Sequence, residues 1–228
     1  MAYLRIILEP NPFSGDAISI VEEIRNLSRI WGFRYGYTIY IGGTTSSSGE
    51  LDKLVNGIFW QRVLPFSIAS MILIFTIVFR GFIAAVIAVS LVILSSLISM
   101  VLTGFIFNRI FSTPVIWFLP QVVFTAMLGV GMDYNSFYMA RAREVCITVG
   151  ECNARGSSIA SGAVGRLIVG LAFVVAAAFG SLMLSSSTGL REIGLSLLVS
   201  AMMISTASSY LVAPPLLSIL GRRAWKII

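Results

Sequence analysis

Between residues 63 and 213 the sequence alternates long apolar runs with short polar breaks. A helix needs roughly 20 predominantly apolar residues to cross a bilayer. Five runs come close to or exceed that length: about 63–79, 82–107, 115–140, 165–184 and 189–213. Only 11% of the 228 residues are charged, against about 25% in a typical soluble domain. The expected fold class is therefore an α-helical polytopic membrane protein. Residues 59–228 form its transmembrane domain of five helices.

Residues 1–58 differ. They are polar and turn-rich, and they hold Glu9, Asp16, Glu22, Glu23, Glu50 and Asp52, six of the ten acids. Tyr3–Leu8 reads as a strand and Pro10–Gly15 as a turn. Asp16 opens a helix over Ala17–Leu27, with Ile18, Ile20, Val21 and Ile24 on one face and Glu22 and Glu23 on the other. Tyr37–Ile41 reads as a second strand, closed by Gly42 and Gly43. A small α+β (βαβ) external segment is expected, too short to bury a core alone. Met1 leads directly into the first strand, so no cleavable signal peptide is expected. The run GGTTSSSGELDKL tests for a phosphate loop and fails. A Walker loop needs Gly-Lys-Ser/Thr after its spacer, and here Gly49 is followed by Glu50 and Leu51.

The net charge of +6 is informative through its placement. Setting residues 1–58 outside puts Arg80, Arg141, Arg143, Arg155, Arg166, Arg222, Arg223 and Lys226 on the cytoplasmic side. Only Arg62, Arg109 and Arg191 stay at the outer loops and helix ends. That asymmetry is what the positive-inside rule expects, with the C-terminus inside. The basic balance reflects topology in a cell (plasma) membrane, and nucleic acid is not an expected partner. Cys146 and Cys152 fall in a loop on the cytoplasmic side. With no histidine in the chain they make no standard zinc site, and free thiols are expected.

Single residues shape the helices. Pro65 is tolerated in the first turn of its helix, and Gly81 separates the first two helices into a tight hairpin. Ser95, Ser96, Ser99 and Thr103 give the second a mildly polar stripe. Gly165, Gly170, Ala172, Ala176, Ala177, Ala178 and Gly180 suit the fourth to close packing, because small residues let backbones approach in lipid. Pro214 and Pro215 end or kink the fifth.

Asp133 is read as the only carboxylate within the predicted spans. An Asp at the bilayer centre costs roughly 2.5–3.5 kcal/mol on an insertion scale, so such residues face a bundle interior or wet cavity and carry function. A proton or cation relay is the functional reading. A permanently protonated acid making one structural hydrogen bond is the bland one. Tyr134 adds a hydroxyl about 100° round the helix. Gly129 and Ser136 lie one turn to either side, and Gly131 loosens the stretch. Arg141 and Arg143 lie about 12–15 Å further along the axis; with Glu144 they read as inner-face anchors. An intramembrane aspartyl protease would need two carboxylates sharing a proton, and Asp16 and Asp52 lie outside the membrane. No enzyme is expected.

GVGMDYNSFYMARARE (129–144) resembles the Gly-x-Asp-Tyr helix and following Arg-x-Arg-Glu of the MMPL family, within the resistance–nodulation–division transporter superfamily. YIGGTTSSSGELD, VGRLIVGLAFVVAAAFGSL and LREIGLSLL…LVAPPLLSILGRRAW agree in the same order. The resemblance is good over residues 37–228 and loose over 1–36. It implies that residues 1–58 end an external porter subdomain and that the five helices are those following it in the C-terminal repeat. Asp133 and Tyr134 would be that repeat's share of a proton relay, driven by the proton gradient with no cofactor or metal. Implied partners are membrane lipid, a hydrophobic substrate, and a second transporter half or further copies of the chain. Three positions depart from the family: Ile204 and Ser209 replace an Asp and an Arg of the last helix, and Gly170 replaces a polar residue.

The leading expectation is a subunit or half of a proton-driven exporter of lipids or other hydrophobic compounds. A Sec-type protein-export accessory subunit, whose inner loop carries a similar Arg-x-Arg-Glu pattern, is one alternative. A lipid-sensing or scaffold membrane module is another.

Overall fold

The computed structural model describes residues 4–8, 12–36 and 38–225. Among them the chain is helical, and the only strand-like pairing is an isolated antiparallel bridge between Ser14 and Ile116. Helix α1 (Gly15–Tyr35) begins where the Ser14 side chain accepts a hydrogen bond from Ala17 N at 3.2 Å and ends at left-handed Gly36. An oxygen cap satisfies one of the donors left open at a helix start, so Ser14 rather than Asp16 sets the boundary. Helix α2 (Thr44–Ile58) packs on α1. Arg25 donates to Glu50 at 2.7 Å and to Ser46 Oγ at 2.8 Å, and Lys53 pairs with Glu22. Exposed ion pairs contribute about 0–1 kcal/mol each, so charge registers these two helices more than it stabilises them.

The βαβ expectation does not hold. Residues 4–8 and 38–42 form no strand, and α1 runs eight residues past Leu27. A strand needs a neighbour to take its backbone hydrogen bonds, and among the described residues neither segment is paired. Between them, Gly15–Tyr35 is held by helical hydrogen bonds and ends at Gly36. Tyr3, Pro10, Tyr37 and Lys226 of the expectations lie outside the described residues.

A π-turn at Phe59–Val63 joins α2 to α3 (Leu64–Phe79) without a break. Arg80 and Gly81 then reverse the chain into α4 (Phe82–Arg109). Helix α5 (Leu119–Glu144) follows a loop, and a second π-turn (Val145–Val149) leads to α6 (Ala154–Gly180). Asn153 caps α6 by accepting from Arg155 N and Gly156 N. Helix α7 (Thr188–Thr206) continues through a π-turn (Ala207–Leu211) to α8 (Ala213–Leu220), which starts at the Pro214–Pro215 pair.

Among the described residues, four helical stretches are long and apolar enough to cross a membrane: Thr44–Phe79, Phe82–Arg109, Ala154–Leu184 and Thr188–Trp225. The fifth expected span forms helix α5 but is not among them. Gln121, Asp133, Asn135 and the Arg141–Glu144 end make it too polar. The expected boundary at residue 165 is also moved. Helix α6 starts eleven residues earlier, because Gly156, Ser157, Ser158, Ser161 and Gly162 continue the helix with small side chains.

Helix α7 is the centre of the bundle and packs against α4, α5 and α6. Its small residues permit this. A Cβ on Gly194 would lie 2.8 Å from the Phe179 carbonyl oxygen and 2.9 Å from Leu182 Cβ. The serine stripe of α4 faces inward, and Ser196 of α7 donates to Thr103 at 2.7 Å.

The free-thiol expectation is also corrected: Cys146 and Cys152 are joined by a disulfide. The π-turn and left-handed Gly150 fold the chain back so that the two Cα atoms are 4.4 Å apart, within bridging range.

Replacing Gly194 by valine forces backbone apart where α7 meets α6. The variant is expected to lose about 1–3 kcal/mol, read as a lowered midpoint of thermal unfolding in detergent, while Gly162→Val, with open space around it, is expected to keep the parent midpoint.

Candidate functional site

The rotation of α5 decides what the predicted relay residues face. Around Asp133, the buried residues of α5 include Gly131, Tyr134, Asn135 and Tyr138. Gly131 is buried where an added Cβ would touch Val92 of α4 at 3.4 Å and Ile204 of α7 at 3.7 Å. Asn135 is 0% exposed and donates through Nδ2 to the Ala88 carbonyl of α4 at 2.8 Å. Tyr134 is 3% exposed, and its hydroxyl has no hydrogen-bond partner. One turn further on, Tyr138 is fully buried, with its hydroxyl beside Ser157 and Ser161 of α6 but in no well-formed hydrogen bond.

Asp133 points the other way. Successive helical residues are about 100° apart, so burying Gly131, Tyr134 and Asn135 turns Asp133 outward. It is exposed, on one face with Thr125, Gly129 and Phe137, which are exposed as well. The expectation that Asp133 faces the interior of this bundle is therefore corrected. Its carboxylate makes no hydrogen bond or ion pair with any described residue. Ser136 donates at 2.8 Å to the Asp133 backbone carbonyl, not to the carboxylate. Gly129 leaves open space one turn before the acid. The two predicted relay residues thus sit side by side in sequence but on different sides of α5, the acid on an open face and the phenol in the core.

Arg141 and Glu144 form an ion pair at 2.7 Å within the last turn of α5, and Arg143 is half-buried beside them. Cations at a helix C-terminus interact favourably with its dipole. None of the three pairs with Asp133.

Two buried polar residues were missed at the level of sequence. Asn135 sits inside the quoted motif, and a single amide in an apolar run is the signal that marks it. Glu192 lies within the expected span 189–213, so Asp133 is not the only acid in the spans. It is 0% exposed and accepts from Ile116 N through Oε2 at 2.9 Å. Its signal is the spacing Glu192, Ser196, Ser200, which repeats every four residues and lines one helix face. All three are buried in α7.

A groove of about 560 Å³ runs between α6 and α8, lined by Ser157, Ser161, Gly162, Tyr210, Pro214 and Ser218 among others. Asp133 is not part of its wall. The groove and the acid are separate features of the bundle surface.

The two sides of α5 have opposite sensitivities. Asp133→Asn removes no hydrogen bond and is expected to change stability by less than about 0.5 kcal/mol. Asn135→Leu removes the hydrogen bond to the Ala88 carbonyl and is expected to cost about 0.5–1.5 kcal/mol. Chemical unfolding of both variants in the same detergent checks the contrast.

Comparison with known proteins finds relatives among membrane and transport proteins. YdgH of Bacillus subtilis (strain 168) is 24% identical over 227 residues, covering 97% of this chain and 25% of YdgH. "Probable transport protein MmpL1" of Mycobacterium tuberculosis (strain CDC 1551 / Oshkosh) is 27% identical over 191 residues, covering 82% of this chain and 19% of MmpL1. "Siderophore exporter MmpL5" of the same organism is 25% identical over 226 residues, covering 95% of this chain and 22% of MmpL5. The chain thus spans a quarter or less of the length of these three relatives. The MMPL family model matches residues 1–227, nearly the whole sequence, and the chain belongs to the MMPL family.

Proposed function

We propose that this chain is one repeat of a proton-driven exporter of lipids or other hydrophobic compounds, with Asp133 and Tyr134 as its share of the proton relay. Membership of a family whose relatives carry transport and export names supports a membrane transporter. One observation carries the finer reading: Asp133 is exposed and unpaired on the open face of a helix whose opposite side packs against α4, α6 and α7. A carboxylate facing lipid carries a penalty of about 2.5–3.5 kcal/mol. The penalty is relieved if the open face of α5 meets protein. The natural cover is a second Asp-bearing repeat or a second copy of the chain, which brings a partner group to the acid.

In this arrangement α5 crosses the membrane with the four more apolar helices, sheltered by them and by the covering repeat. The N-terminal helices lie outside and the arginine-rich end of α5 faces the cytoplasm, where Arg141, Arg143 and Glu144 anchor it. Asp133 takes up and releases a proton as the two repeats shift. Tyr134, buried beside it with an uncommitted hydroxyl, senses the packing of α4 and α7 around the same turn. The energy source is the proton gradient.

Asp133→Asn keeps the size of the side chain and removes its proton exchange. In proteoliposomes carrying an imposed proton gradient, export by this variant is expected to fall to background, and undiminished export sinks the relay role. A cysteine placed by Ser136→Cys, next to the open face, is expected to cross-link to the covering protein in native membranes. A cross-linked species of the chain with lipid alone, and none with protein, counts against the covered face.

A further inference from the structure

Ile116 lies where three parts of the chain meet. Its backbone forms the antiparallel bridge with Ser14, the residue that caps α1. Its N–H donates to Glu192 Oε2 on α7 at 2.9 Å. Its side chain fills the space beside Gly189, where an added Cβ would come within 3.3 Å of it. Ser14, Ile116 and Glu192 are all buried. Next to this junction Phe13 and Phe118 meet edge to face at 6.5 Å between ring centres. Helix α5, which carries Asp133, begins three residues later at Leu119.

We infer that Glu192 is a positioning residue for transport, tying the external helix α1 to the membrane helices that surround Asp133. The inference rests on the exporter reading above for its functional half, but the tie itself does not. As a source of stability, a buried carboxyl with one hydrogen bond is inferior to an apolar side chain of the same shape. What it adds is direction. Its Oε1 has no partner among the described residues, so its whole hold is on the backbone of Ile116. An unmade hydrogen bond inside the bundle finds no water to replace it, so α7 and the 113–118 segment must move together or not at all.

The rest of α7 passes that constraint on. Four residues beyond Glu192, Ser196 is bonded to Thr103 of α4. Further along, Ile204 lies beside Gly131, two residues before Asp133 on α5. Any displacement of α5 relative to α7 around the acid is thereby felt at Ile116, and through the Ser14 bridge at α1. The external helix and the acid are thus linked through the Ile116 backbone, the Glu192 carboxylate and the packing of α7.

The test uses the full chain in lipid nanodiscs, spin-labelled through Ile30→Cys on α1 and Leu190→Cys on α7. Both positions are exposed, and Cys146 and Cys152 are occupied by their disulfide. Pulsed electron resonance on this parent is expected to give one narrow distance peak. Glu192→Gln, which keeps an acceptor oxygen, is expected to retain the peak, and Glu192→Met to lose it. Should Glu192→Met fail to fold, Glu192→Ala removes the acceptor while leaving Ile116 in place and is expected to lose the peak in the same way. A narrow parent peak preserved in the folded Met or Ala variant overturns the tie.

In proteoliposomes, Glu192→Met is expected to lose substrate export while proton flux persists, and Glu192→Gln to restore the ratio. Export and proton flux falling together, in step with folded protein, marks a structural role only and overturns the coupling. Undiminished export by Asp133→Asn rejects the exporter reading instead, and the resonance measurement still decides the tie.

Discussion

The hydrogen bond from Asn135 Nδ2 to the Ala88 carbonyl, 2.8 Å long and sealed between α5 and α4, holds α5 at one rotation about its axis. With no water at that depth, an unmade bond there is costly. Gly131 packs at the same level, where an added Cβ would be in van der Waals contact with Val92 and Ile204. Together they direct Tyr134 into the core and Asp133 away from it. The position of the acid is a consequence of how its neighbours pack.

Helix association here depends on small residues and hydroxyls. Lipid tails are as apolar as leucine, so burying apolar area from lipid provides little drive, and close packing and hydrogen bonds must substitute. Gly194 lets α7 approach the end of α6, Ser196 meets Thr103, and Tyr210 lies over Gly165. The N-terminal helices follow another regime. Helix α1 buries Ala17 and Ile18 but leaves Leu27, Ile30, Trp31 and Phe33 exposed.

Much of the membrane domain was legible because hydropathy and turn residues are local properties. The break at Gly81, the proline pair in the first turn of α8 and the order of the helices all follow from them. Legibility failed where a neighbour decides. The two expected strands lack a pairing edge, so their β-rich composition produces no sheet. The thiols at Cys146 and Cys152 were assigned by compartment, whereas a π-turn and left-handed Gly150 bring them together. Glu192 was overlooked because a single acid near the end of an apolar run resembles an interfacial charge until its backbone partner, 76 residues away, is seen.

The amino-acid sequence by itself determined that this is a multi-pass helical membrane protein of the MMPL family, because apolar length and ordered motifs need no tertiary information. It also placed an acid and a phenol side by side on one helix. Only the tertiary structure decided which of the two faces the core. Periodicity assigns residues to faces of a helix but not a face to a neighbour, and that choice is made by Gly131 and Asn135 meeting α4 and α7.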